Sequence, residues 1–160
     1  MIDATVARGT LLPESDVTRE GRSTHFSGER DRRRKGGEMP QLTFVLNGRE
    51  MRAEYEEGMT FLEVLRDVCG VTSPKDGCAP QGYCGCCAIL LEGRAVLSCL
   101  RKPESVKGKS VTTLEGIPEE QRRLVAEAFV REGGLQCGYC TPGLAVRTCS
   151  LLDHQGTDDR

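Results

Sequence analysis

Tryptophan is absent from this 160-residue chain, and aromatic residues make up only 4% of it. So few large side chains limit the core. A domain of roughly 60–80 residues is marginal on apolar burial alone and usually needs a staple. Histidine occurs twice, at His25 and His154, and neither sits in a motif. Both are expected in solvent, and no catalytic base or flavin fingerprint is visible. The formal net charge of −2 provides no global basic field, which argues against a nucleic-acid partner. No run approaches the roughly 18–20 apolar residues of a membrane span, so no membrane partner is expected. The N-terminus lacks the apolar segment of a secretory signal. Arg32, Arg33, Arg34 and Lys35 are followed by Gly36, Gly37 and Glu38, not by the apolar stretch of a twin-arginine signal. A reducing, cytoplasmic setting is therefore expected. There, clustered thiols more often bind metal or do redox work than form structural bridges.

Composition changes along the chain. Residues 1–38 are rich in Arg, Glu, Ser, Thr and Gly without an apolar period, and read as a disordered tail. Met39 stands just ahead of the first strand-like segment and is a candidate start codon. Leu42, Phe44 and Leu46 alternate with Thr43 and Val45, and Asn47-Gly48 is a strong hairpin turn. Arg49 to Tyr55 reads as the return strand, with Met51, Ala53 and Tyr55 on one face. Thr60 and Glu63 form a capping box, followed by a helical stripe of Phe61, Leu62, Val64, Leu65 and Val68 that stops near Gly70. Ala88 to Leu91 and Arg94 to Leu97 read as a second hairpin around Glu92-Gly93, and Val111 to Leu114 as a last short strand. Two hairpins packed on one helix make an α+β arrangement with a long loop over one end. Beyond Gly116 the period becomes helical. Pro118 suits a first helical position, and Leu124, Val125, Ala128 and Phe129 form a stripe that ends at Gly133-Gly134. Thr141-Pro142 opens another helix, with Leu144, Ala145, Thr148, Leu151 and Leu152 on one side.

What the chain has in abundance is cysteine: nine residues, five of them between Cys78 and Cys99 among closely spaced glycines. Cys78, Cys84 and Cys87 follow a C-x5-C-x2-C pattern, and Cys99 comes after eleven further residues. Plant-type [2Fe–2S] sites use C-x4-C-x2-C with a distant fourth cysteine, so the first gap here is one residue longer. A loop wrapped round such a cluster must turn sharply and aim backbone N–H groups at sulfur. Gly77, Gly82 and Gly85 allow left-handed angles and close approach there. Cys99 arrives from the far end of a hairpin, so metal binding should couple to folding. The CGCC run offers two third ligands. The two-residue gap after Cys84 selects Cys87 and leaves Cys86 as a small filler. A tetrahedral zinc site could use the same four thiols. Cys69, at a helix end, reads as a small buried hydrophobe.

Gln136-Cys137-Gly138-Tyr139-Cys140 stands before a helix. A CxxC there is either a redox pair with a dipole-lowered thiol pKa or half of a metal site. The redox reading wants a preceding strand, and the preceding element is helical. "DGCAPQGYCGCC…SCL" followed by "LQCGYCTPG" resembles the iron–sulfur subunit or domain of the xanthine dehydrogenase and aldehyde oxidase family of molybdenum hydroxylases. The resemblance covers about Met39 to His154. It implies an N-terminal β-grasp, ferredoxin-like [2Fe–2S] domain at 39–114 and an all-α [2Fe–2S]-binding domain at 115–160, incomplete in this chain. It also implies Cys78, Cys84, Cys87 and Cys99 as ligands of the first cluster, and Cys137 and Cys140 as two ligands of the second. Gln136 stands where the family's glutamine approaches the pterin.

The family closes its second cluster with a CxC some tens of residues further on, and this chain has no such pair. Cys149 lies ~13 Å along a helix from Cys140, too far to replace it, and reads as a packed helix thiol. One complete cluster site and one half-site are therefore expected, on a C-terminally truncated member of the family. The two remaining helices should expose an apolar face. The implied role is electron transfer from a molybdenum centre towards a flavin or other acceptor, with no substrate-converting site on this chain. The molybdopterin cofactor would belong to a molybdenum-binding catalytic subunit, and FAD to a further partner. The competing readings are a free-standing plant-type ferredoxin and a zinc-binding interaction module.

Overall fold

The computed structural model describes residues 39–154. The expected tail, the Arg32–Lys35 run and His25 lie outside the described residues. Strand β1 (Gln41–Leu46) buries Leu42, Phe44 and Leu46 and turns through Asn47-Gly48 into β2 (Arg49–Glu54). Phe44 faces Met51 across this antiparallel pair. Both turn residues take positive φ, 51° at Asn47 and 80° at Gly48, the pairing that a two-residue hairpin demands. Strand β3 (Ala88–Leu91) and β4 (Arg94–Leu97) form the second hairpin. Strand β5 (Ser110–Thr112) fills the gap between the hairpins, parallel to β1 and antiparallel to β3. The five-stranded order is β2-β1-β5-β3-β4.

Helix α1 (Phe61–Glu63) begins at the expected capping box. Thr60 Oγ1 accepts the Glu63 N–H at 3.3 Å, and the Glu63 carboxylate accepts the Thr60 N–H at 2.8 Å. From Val64 to Val68 the winding loosens to a π-helix, with the Cys69 N–H reaching Val64 O at 3.0 Å. The looser turn rotates Val68 out of the expected stripe, and it is 42% exposed. Phe61, Val64 and Leu65 enter a core with Leu42, Phe44, Ile89, Val106 and Val111. The Phe44 and Phe61 rings meet edge to face at 5.4 Å, worth about 0.5–1.5 kcal/mol beyond the area buried.

The last strand ends earlier than the sequence suggests, and Leu114–Gly116 forms a 3-10 turn. Asn47 is the cause. Its Oδ1 accepts the Thr113 N–H at 2.9 Å, and its Nδ2 donates to Thr113 Oγ1 at 3.0 Å, taking this residue out of the ladder. Pro118 is the N-cap of α2 (Glu119–Arg131), one position before the expected one. Gly133 and Gly134 close α2 with N–H bonds to Val130 O and Phe129 O, a Schellman ending. Helix α3 (Thr141–His154) packs with α2 on the opposite face of β3. This second core contains Ala88, Leu90, Ile117, Val125, Ala145, Val146 and Cys149.

The expected helix faces are rotated. On α2, Val125 is buried and Phe129 partly so, but Leu124 is 60% exposed. On α3, Leu144, Leu151 and Leu152 are exposed, and Gly143, Ala145, Val146, Cys149 and Ser150 face inward. Close approach to β3 selects the small residues for the inner side. Replacing Thr60 with Ala removes an N-cap and should cost about 1 kcal/mol, read as a lower urea midpoint with unchanged slope.

Candidate metal centre

Between Cys69 and β3 the chain runs irregularly, pinned at its start by Arg66. The guanidinium donates to Thr72 O at 3.1 Å and Pro74 O at 2.7 Å. At its end, the Lys75 N–H donates to Cys86 O at 3.0 Å. Gly82 and Gly85 take φ of 76° and 74°, the left-handed conformation expected of them. Gly77 does not, which corrects that part of the expectation. Its contribution is close approach, because a Cβ there would lie 3.0 Å from Cys84 Sγ and 3.1 Å from Cys86 Sγ. Ala79, which nothing in the sequence singles out, is left-handed at φ 54°, and its N–H donates to Asp76 Oδ1 at 2.9 Å.

The four cysteines chosen by spacing are free thiols on or beside this loop, as is Cys86. Cys78 is half-buried, and Gln81 donates its N–H to Cys78 Sγ at 3.3 Å. The N–H groups of Cys84, Gln81 and Tyr83, in that order of effect, hold its thiol down to about 7, and the Cys84 side chain also bonds to it. Cys84 is exposed, whereas Cys87 and Cys99 are buried with Leu62 and Leu97. Burial pushes the Cys99 thiol up to about 12. Cys87 adds to this through a side-chain hydrogen bond and its charge, the Gly82 N–H opposes it, and the Cys78 charge adds a little. Cys78 thus feels Cys84, Cys99 feels Cys87 and more weakly Cys78, and Cys86 feels Cys84 in turn, so the thiols of the loop form a continuous set and not two separate pairs. Ser98 fixes the Cys87 backbone, its Oγ donating to Cys87 O at 2.8 Å. Among the described residues, no three His, Cys, Asp or Glu side chains are placed to hold a single ion. The backbone donors aimed at Cys78 and the closely gathered thiols are chemically suited to thiolate ligation of an iron–sulfur group. The Cys99 thiol, pushed up by burial, gives up its proton more readily beside a positively charged partner.

Cys86 is buried, as expected of a filler, but it is more than that. Its thiol is pushed up to about 11 by burial, then by Cys84, with smaller contributions from the charges of Cys140 and Cys87. It therefore stands between the first group and the second motif. Gln136, Cys137 and Cys140 are all exposed on the connection from α2 to α3. Gly138, at φ 74°, makes the turn between the two cysteines. Cys149 is fully buried in the helical core, in keeping with a packed thiol, and Cys69 is partly buried against the sheet core.

Two residues that sequence reasoning missed bring the motifs together. A Cβ at Gly143 would lie 2.5 Å from Gly85 O and 2.9 Å from Cys86 Cα, so α3 rests directly on the backbone of the cysteine loop. Tyr139 donates its hydroxyl to Asp76 O at 2.9 Å. The glycine of CTPG could have signalled this contact only to a reader who already knew which loop lay beneath it. Leu100, exposed, is likewise unsignalled, yet a Cβ at Gly82 would lie 2.7 Å from its Cδ1.

Gly143→Ala should lift α3 from the loop and cost about 1–3 kcal/mol, with faster hydrogen exchange at the Gly85 and Cys86 amides. In metal-free protein, alkylation of Cys78 should rise with a midpoint near pH 7, because the thiolate reacts. Cys99 should stay unreactive over the same range, its thiol remaining protonated up to about 12. Mass spectrometry of alkylated peptides reads both.

A family model described as a [2Fe-2S] binding domain matches residues 113–160. The nicotinate dehydrogenase small FeS subunit of Eubacterium barkeri is 36% identical over 113 residues, covering 70% of this chain and 71% of that one. The aldehyde oxidoreductase of Megalodesulfovibrio gigas is 36% identical over 124 residues, or 76% of this chain, which spans only 14% of that longer protein. In structure, quinoline 2-oxidoreductase from Pseudomonas putida 86 superposes with a TM-score of 0.67 at 32% identity, over 74% of each chain. With more than two thirds of a small FeS subunit matched at this identity, the chain belongs to the iron–sulfur subunits of the xanthine dehydrogenase and aldehyde oxidase family of molybdenum hydroxylases, the components that carry electrons through [2Fe–2S] clusters.

Proposed function

We propose that Cys78, Cys84, Cys87 and Cys99 would hold one [2Fe–2S] cluster. The observation that carries this is the convergence of backbone N–H groups on Cys78 sulfur beside the Cys87 and Cys99 thiols buried together. A cluster bound there would supply one-electron chemistry. The chain's own groups do the rest. The N–H groups at Cys84, Gln81 and Tyr83 stabilise negative charge on Cys78 sulfur, which favours the reduced state. Leu62 and Leu97 keep water from the Cys87 and Cys99 side. Ser98 holds the Cys87 backbone while charge changes beside it.

Cys137 and Cys140 supply two ligands of a second [2Fe–2S] site, and Gln136 faces the pterin of the molybdenum cofactor. In this reading 39–114 is a ferredoxin-type β-grasp unit and 115–160 is part of a helical cluster-binding unit. The whole passes electrons from a molybdenum-binding catalytic partner towards FAD or another acceptor in the cytoplasm. No helix among the described residues is long and apolar enough to cross a membrane.

Anaerobic reconstitution with iron and sulfide tests the assignment. The expected product is red-brown, with about two iron atoms at the first site and a reduced-state EPR signal. Serine in place of Cys78, Cys84, Cys87 or Cys99 should lower first-site iron severalfold, while Cys86→Ser keeps it. Retained iron and signal in the Cys99→Ser protein, or a colourless wild type that binds zinc alone, would overturn the reading.

A further inference from the structure

Arg147 lies one helical turn beyond Gly143 on α3, so the two residues share a face at i, i+4 spacing. That face is turned to the cysteine loop. Gly143 meets the backbone of Gly85 and Cys86, and Arg147 Nη1 lies 3.2 Å from where a Cβ on Gly85 would be. Gly85 is confined by its φ of 74°, and the Arg147 guanidinium lies beside it. Its neighbour on one side is Cys84, a proposed cluster ligand, and on the other Cys86. The Arg147 side chain is exposed, so its charge is partly screened, but it rises from a helix already docked on the loop.

We propose that Arg147 sets the reduction potential of the cluster held by the first cysteine loop. The inference rests on the cluster assignment above and adds a residue that neither spacing nor the cysteine motifs contain. On reduction, one electron from the donor enters the cluster and no proton or bond is required, so the site becomes more negative by one charge. A cation beside the loop favours that state, and cluster potentials respond to nearby charge. For a unit charge beside the loop, with screening between that of water and protein, the reduction equilibrium should favour the reduced state about fivefold more than without the charge.

The test is a dithionite-poised redox titration of the reconstituted full chain, followed by the reduced-state EPR signal. Arg147→Gln and Arg147→Met both remove the charge, and the second keeps an apolar stem. Each should shift the reduction equilibrium about fivefold against reduction, a midpoint lower by about 40 mV at 59 mV per tenfold. Arg147→Lys should stay close to wild type, and the gap between wild type and Arg147→Gln should narrow as KCl is raised. Unchanged midpoints in both neutral variants, or a drop in Arg147→Lys equal to theirs, overturn the inference and leave the cluster assignment standing. Failure of both neutral variants to take up iron makes Arg147 a structural residue and also overturns it. A wild type without an EPR signal overturns the cluster assignment instead.

Discussion

Strand β3 is buried on both faces, and the two halves of the molecule meet there. Ile89 enters the sheet core with Phe44, Phe61 and Val111. Ala88 and Leu90, on the other face, enter the helical core with Val125, Val146 and Cys149. Alternation along a strand makes this possible, since successive side chains point to opposite sides. A strand covered on both sides reads as a continuous apolar run, and Ala-Ile-Leu-Leu is such a run. Cys87 immediately precedes β3, so the same burial that joins the cores also anchors one end of the cysteine loop.

The loop itself is rich in backbone constraint and poor in side-chain packing. Its turns depend on left-handed residues at 79, 82 and 85, and its ends are held by hydrogen bonds to Pro74 O and Cys86 O. Such an arrangement leaves N–H groups free to point inward at sulfur, which Cys78 records in a thiol held down to about 7. The opposite environment surrounds Cys99, where burial dominates. One side of the proposed site is polarised by backbone and the other is dry. This difference matches the exposed and buried halves of the thiol set.

Helix α3 is where the candidate sites become one system. It carries Gly143 and Arg147 towards the first loop and begins directly after Cys140. A side chain at position 143 would hold the helix off Gly85 and Cys86. The exposed Leu124, Leu144, Leu151 and Leu152 are the counterpart of that inward choice. The small residues went to the sheet and the loop, and the larger apolar ones were left outside.

Local patterns were legible in the residues themselves. Alternation marked β1, Asn47-Gly48 marked its turn, Thr60 with Glu63 marked the helix start, and closely spaced cysteines and glycines marked the irregular loop before β3. Each of these signals acts within a few residues, through sterics, capping or turn geometry, so each survives without the fold. The π-turn that exposes Val68 and the inner face of α3 depended on what each element packs against. So did the early end of β5 at Asn47, and the placement of Arg147 beside Gly85. Those outcomes are decided between residues far apart in the chain, where a helix with two apolar flanks can turn either one inward. Only the shape of the surface it meets determines which.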